Sequence, residues 1–158
     1  MSPSNPFRPS WRPADAGAPT PTSLTSADSL ARAEAAMKAL AGQFARWLRD
    51  EIDKLDAARA RVTDEGLGGE AGEALYITAH DLKGLGGTYE FPIVSRIAAS
   101  LCELLEDADQ RPARPLDLID AHIEAIKAMV RDDIREDLHP LGGATVVALE
   151  NRARAIVG

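Results

Sequence analysis

From Thr25-Ser26-Ala27-Asp28 to about Val62 the chain contains no proline, and its apolar residues return every three or four positions. Leu30, Ala33, Met37, Leu40, Ala41, Phe44, Trp47, Leu48, Ile52, Leu55 and Ala58 would therefore line one side of an amphipathic helix, the side expected to face a core. The hydroxyl residues and Asp28 at its start suit a cap and a first turn. About 35 residues rising 1.5 Å each would reach about 50 Å, longer than most globular helices, and Gly42 offers such a helix a place to kink. A helix of this length with one apolar side has to bury that side against further helices or another chain.

The rest of the sequence supplies those helices. Thr63-Asp64-Glu65-Gly66-Leu67-Gly68-Gly69 reads as a turn, followed by a second helix over about 70–90. A third is expected from Pro92, since proline is tolerated in a first helical turn, to about residue 108. Arg111-Pro112-Ala113-Arg114-Pro115 breaks the chain, and a fourth helix over about 116–137 carries Leu118, Ile119, Ile123, Ile126, Met129, Val130 and Ile134 on its apolar side. His139-Pro140-Leu141-Gly142-Gly143 is expected to end it, leaving a short helix over 145–156. No alternating apolar run or hairpin dipeptide argues for a strand. The expectation is all-α, an antiparallel up-and-down four-helix bundle over 27–138, with a C-terminal loop and short extra helix over 139–158. Residues 1–26 hold six of the ten prolines among Ser, Thr and Ala and are expected to be a disordered tail.

Composition narrows the function. With 158 residues the chain accommodates one domain and a tail, without room for a kinase carrying its own nucleotide-binding module. A net charge of −7 opposes a sequence-independent hold on nucleic acid or on an anionic membrane. The single cysteine, Cys102, has no disulfide partner in the chain, and there is no long apolar run or signal-peptide core, so a cytoplasmic, reducing compartment is expected. His80, His122 and His139 are scattered over three segments, so no metal site is expected. Gly84-Leu85-Gly86-Gly87 lacks the spacing of a phosphate-binding loop and no strand precedes it.

The residues with chemistry to offer lie in Thr78-Ala79-His80-Asp81-Leu82-Lys83-Gly84-Leu85-Gly86-Gly87-Thr88-Tyr89. Helical projection places Ala71, Leu75, Thr78, Leu82, Leu85 and Tyr89 toward the core, and His80 opposite, beside Tyr76, Ile77, Lys83, Gly84 and Gly87. Each helical glycine costs about 0.8–1 kcal/mol relative to alanine, so Gly84, Gly86 and Gly87 need a compensating role. Close approach of another molecule to the backbone around His80 is one; tight packing at a helix end is another. An exposed imidazole near neutral pH offers a nucleophilic nitrogen to a phosphoryl group, and Lys83, one turn on, can hold negative charge there.

The run Ala79-His80-Asp81-Leu82-Lys83-Gly84, then Gly86-Gly87-Thr88, Phe91-Pro92 and Ile97-Ala98-Ala99-Ser100-Leu101-Cys102-Glu103-Leu104, resembles the histidine-containing phosphotransfer (HPt) domains of bacterial multistep phosphorelays over roughly residues 28–135. The resemblance implies that His80 is the phosphorylation site, that Lys83 helps to hold the phosphoryl group and that Gly84 opens the surface to a receiver domain. It implies a carrier, not an enzyme, which takes a phosphoryl group from a receiver phospho-aspartate and passes it to another receiver. Its partners would be response-regulator receiver domains or a hybrid histidine kinase. No cofactor is expected on this chain, the Mg²⁺ being carried by the receiver. Gly87, Tyr76 and Ile77 are expected to join Gly84 in the docking surface. One departure is Glu90, where many such domains have glycine between the two aromatics, here Tyr89 and Phe91.

A rival reading is a helical adaptor that docks a receiver or another protein without phosphotransfer. A monomer is the expected state, with a dimer through the long first helix as the alternative.

Overall fold

The computed structural model describes residues 26–158, so the tail expected over 1–26 lies, apart from Ser26, outside the described residues. Five α-helices follow one another: α1 (Ser26–Glu65), α2 (Glu70–Thr88), α3 (Pro92–Leu105), α4 (Leu116–Arg131) and α5 (Pro140–Val157). A single 3₁₀ turn, Arg111–Ala113, lies between α3 and α4. The protein is all-helical, with no strand among the described residues.

The chain divides into Met1–Ala39 and Leu40–Gly158. In the first unit the described residues are the opening turns of α1, and every one of them is exposed. The second unit holds the core. Leu48, Ile52, Leu55, Ala58 and Val62 of α1 are buried there with Leu75, Ala79 and Leu82 of α2, Ile97 and Leu101 of α3, and Ile119, Ile123 and Ile126 of α4. The apolar stripe of α1 thus divides. From Leu48 onward it faces the core as expected, whereas Leu30, Met37, Leu40 and Trp47 are 59, 71, 46 and 39% exposed. Helix α1 continues as one helix through Gly42, without a break in its helical assignment there.

Helix α3 packs against α2, α4 and α5, and its Pro92 occupies the first turn as the sequence indicates. The fourth helix ends earlier than its apolar pattern suggests, at Arg131, where Asp133 takes a left-handed φ of 54°. His139-Pro140 does not close that helix; it opens the next. The His139 imidazole caps α5 by accepting the Gly142 N–H at 3.3 Å, and Pro140 fills the first turn, where a missing donor costs nothing. The C-terminal helix is correspondingly longer than expected and buries Val146, Leu149 and Ala153. Arg96 of α3 fastens it, pairing its Nε with Glu150 at 2.6 Å while Nη1 reaches Asp137 at 2.7 Å. On the other side of the bundle, Arg59 of α1 grips Asp120 of α4 with two hydrogen bonds of 2.6 and 3.1 Å.

His122 is fully buried. Its Nδ1 lies 2.8 Å from the Leu118 carbonyl, which can only accept, so Nδ1 carries the proton and Nε2 accepts from the Ser100 hydroxyl at 2.9 Å. Burial holds this imidazole's pKa below the ordinary value, against the opposing pull of the Leu118 carbonyl. The folded protein therefore binds fewer protons here than the unfolded chain, whose histidine titrates near 6.5. Stability from this site is complete above about pH 6.5 and falls as the pH drops from there toward the depressed folded pKa, by at most about 1.4 kcal/mol per unit. Urea unfolding at pH 7.5 and 5.5 is expected to show that loss, and His122→Gln should flatten it. An equal slope in the variant would assign the loss to other groups.

Candidate functional site

Helix α2 is polar on one flank and apolar on the other, and the burial pattern shows how sharply. Ala71, Leu75, Ala79 and Leu82 are fully buried, while Ile77, His80, Asp81, Lys83, Gly84 and Gly87 are exposed. His80 therefore stands on the outer side of the helix, as projection indicates, in a shallow depression shared with Asp81, Gly84 and Leu85 of α2 and with Glu51 and Lys54 of α1. Its ring has one aromatic neighbour, Tyr76, with centroids 6.2 Å apart.

Tyr76 is less free than projection suggests. It packs against the core's edge, and the Arg111 guanidinium sits 5.5 Å from its ring centroid. Arg111 is itself buried, donating from Nε to the Leu105 carbonyl at 2.7 Å and from Nη1 to Glu73 at 3.0 Å. The loop after α3 thereby holds Tyr76 in place, and Ile77, half exposed, is the apolar side chain left at the surface. Thr78, Leu85 and Tyr89, placed toward the core by projection, are only partly covered.

The three glycines differ. A Cβ at Gly86 would lie 2.5 Å from the Ser95 Oγ, 2.6 Å from the Ser95 nitrogen and 3.0 Å from the Phe91 carbonyl oxygen, so here the missing side chain lets α2 and the start of α3 approach closely. A Cβ at Gly84 would meet nothing within 4 Å, and one at Gly87 only the Ser95 Oγ at 3.9 Å. Packing within the fold accounts for Gly86 and leaves Gly84 and Gly87 unexplained.

Two lysines bracket the histidine. Lys83 lies toward α3, where its charge acts on Cys102. Burial dominates at that cysteine, pushing the thiol up to about 11, so it is a poor nucleophile. Lys54 lies on the α1 side, donating to Glu51 at 2.8 Å. Its pKa is raised first by that hydrogen bond and the Glu51 charge, with Asp50 and Asp81 adding to it. Sequence reasoning missed Lys54 and Glu51, because nothing in the spacing of α1 indicates which polar residues will flank a histidine on another helix. Among the described residues no set of three His, Cys, Asp or Glu side chains comes together to hold a metal.

The end of α2 carries one strained residue. Glu90 has φ 65°, the left-handed region, while Phe91 returns its N–H to the Gly86 carbonyl at 2.7 Å. A glycine adopts this conformation without the steric cost a Cβ brings, about 1–2 kcal/mol, though its freer unfolded chain gives part of that back. Glu90's contact with Arg135, 3.4 Å on the surface, contributes little. Glu90→Gly is expected to stabilise the protein by about 0.5–1 kcal/mol, read as a higher urea midpoint; a lower midpoint would mean that the Arg135 pair outweighs the backbone.

A helical hairpin with an outward histidine, a lysine one turn on and glycines beside it fits one family closely, and the model of the Hpt domain matches residues 39–132. The chain belongs to the Hpt family. Hpt domains are histidine phosphotransfer modules of phosphorelays that work with receiver domains. In this Hpt protein the matched segment runs from α1 through the end of α4, so α5 lies outside it. No curated protein and no solved structure matches the chain. No helix among the described residues is long and apolar enough to cross a membrane.

Proposed function

We propose that this Hpt protein is a phosphorelay carrier in which His80 takes a phosphoryl group from the phospho-aspartate of one receiver domain and delivers it to the aspartate of another. The observation that carries this reading is the pairing of an exposed histidine with two glycines, Gly84 and Gly87, whose missing side chains leave space that no part of the fold uses. A partner's backbone can approach the imidazole there.

In the forward step a lone pair on an imidazole nitrogen attacks phosphorus, a P–N bond forms, and the P–O bond to the aspartate breaks with its electron pair leaving on the carboxylate. The other ring nitrogen keeps its proton. Delivery reverses these roles. Such transfer asks for alignment and for charge to balance the phosphoryl oxygens, more than for any further covalent chemistry from the protein. Lys83 supplies a cation from the same helix, and Lys54, from α1, a second one. The receiver would bring Mg²⁺ and its acidic site. Ile77 and the outer face of Tyr76 supply apolar contact for the docked domain.

Incubating the protein with a panel of ³²P-labelled phospho-receivers tests the reading. The expected result is label on this chain that is stable in alkali and lost in acid, as a phosphoramidate is. Receiver binding without any label would favour the adaptor that docks without chemistry.

A further inference from the structure

We infer that the first half of α1 pairs with the same segment of a second copy of this chain, antiparallel, to form a reversible homodimer. Leu30, Ala33, Met37, Leu40, Phe44 and Trp47 recur at alternating steps of three and four on one helix, the 3.5-residue repeat that matches a helical partner. The next positions in the same register are Glu51 and Lys54, whose charges end the seam. At the C-terminal end of the seam Phe44 and Trp47 also lean on Tyr89 at the end of α2, each with ring centroids 5.7 Å from it, and from Leu48 the buried residues follow a neighbouring face toward the protein's own core. The four large seam side chains outside Phe44 are 39–71% exposed.

The occupant follows from size and register. If the two-fold axis falls between Lys38 and Ala39, Leu30 meets the partner's Trp47, Ala33 meets the partner's Phe44 and Met37 meets the partner's Leu40. The one small seam residue, Ala33, then faces the bulky Phe44, and Met37 and Leu40, of similar size, fill the centre, as close packing requires. A parallel, in-register pair would stack Trp47 on its copy at one end and leave Ala33 facing its copy across a gap at the other. The positions flanking the seam, Ser29, Glu34, Ala36, Ala41 and Gln43, include a single charge, so self-pairing meets little repulsion. A seam of this length buries on the order of 1,000 Å² over both copies, the lower edge for a specific interface, and that makes the dimer weak and concentration-dependent.

Sedimentation equilibrium of the full chain from about 1 to 500 µM tests this, a range that brackets affinities expected of a small interface. The mass is expected to climb from 16.9 kDa toward twice that value, and Met37→Glu/Leu40→Glu should hold it at the monomer throughout. A wild-type mass that stays monomeric at the highest concentration, or a dimer that survives the double substitution, overturns the proposal. Orientation has its own readout, independent of how the glutamate variant folds. Under mild oxidation Met37→Cys/Leu40→Cys should cross-link to a covalent dimer several times faster than Met37→Cys alone. Equal rates would overturn the antiparallel register. Cys102, being buried, leaves the wild type as the blank.

Discussion

His80→Gln is expected to abolish phosphorylation of the chain while leaving its unfolding midpoint where it was. The amide of glutamine has no ring nitrogen with a lone pair to attack phosphorus, so the loss should be complete and not graded. The fold should not respond, because His80 is exposed and its aromatic contact is the edge of Tyr76; surface changes of that kind stay within about 0.5 kcal/mol. Neither remaining histidine can substitute without cost. His122 is buried with both ring nitrogens engaged, and His139 caps α5 through its Nδ1. Label transfer beside a thermal melt reads both halves of the expectation. Label retained at the wild-type level would remove His80 as acceptor and point to His139, the other exposed histidine.

The second large effect separates two glycines that lie two residues apart. Gly86→Ala should cost about 2–3 kcal/mol, since two of the atoms its Cβ would strike belong to the backbone of the α2–α3 junction and cannot rotate away. For a chain of this size that is a fall of roughly 5–10 °C in the melting temperature. Gly84→Leu enters open space and replaces a poor helix former with a good one, so stability should hold or rise by about 0.5–1 kcal/mol. Its transfer rate should nevertheless drop roughly 10- to 100-fold, because a bulky side chain beside His80 displaces the donor from in-line geometry. If Gly84→Leu transfers at the normal rate, or if Gly86→Ala melts like the wild type, the division between a docking glycine and a packing glycine is wrong.

The outward face of α2 is legible in the sequence, because helical projection needs only the spacing of Ala71, Leu75 and Leu82 against His80 and Lys83. So is the start of α3, where Pro92 announces a first turn. The C-terminal third is harder. Proline and glycine both end helices and begin them, and reading His139-Pro140-Leu141-Gly142-Gly143 as the end of α4 fails because the His139 side chain caps α5, a contact that spacing does not show. The true end of α4 depends on Asp133 in a left-handed conformation, for which an aspartate among polar residues gives little warning. Periodicity likewise shows that α1 has an apolar side without showing what covers it, and so it cannot separate Met37 from Ile52. Tyr76 and Lys54 fall outside local reasoning for a third reason: their surroundings are made by Arg111 and by α2, contacts between segments far apart in the chain.

Helix α5 lies beyond the segment that the Hpt model matches, yet Arg96 is fastened to it and Val146 and Ala153 are fully buried. The recognisable module and the cooperative unit therefore have different borders. Anyone transplanting this carrier into a synthetic signalling chain by its family limits would leave behind the lid of its own interior, exposing the flank of α3 that α5 covers. The proposed docking surface on α2 and the helix that covers the module's core would then have been divided by a single cut.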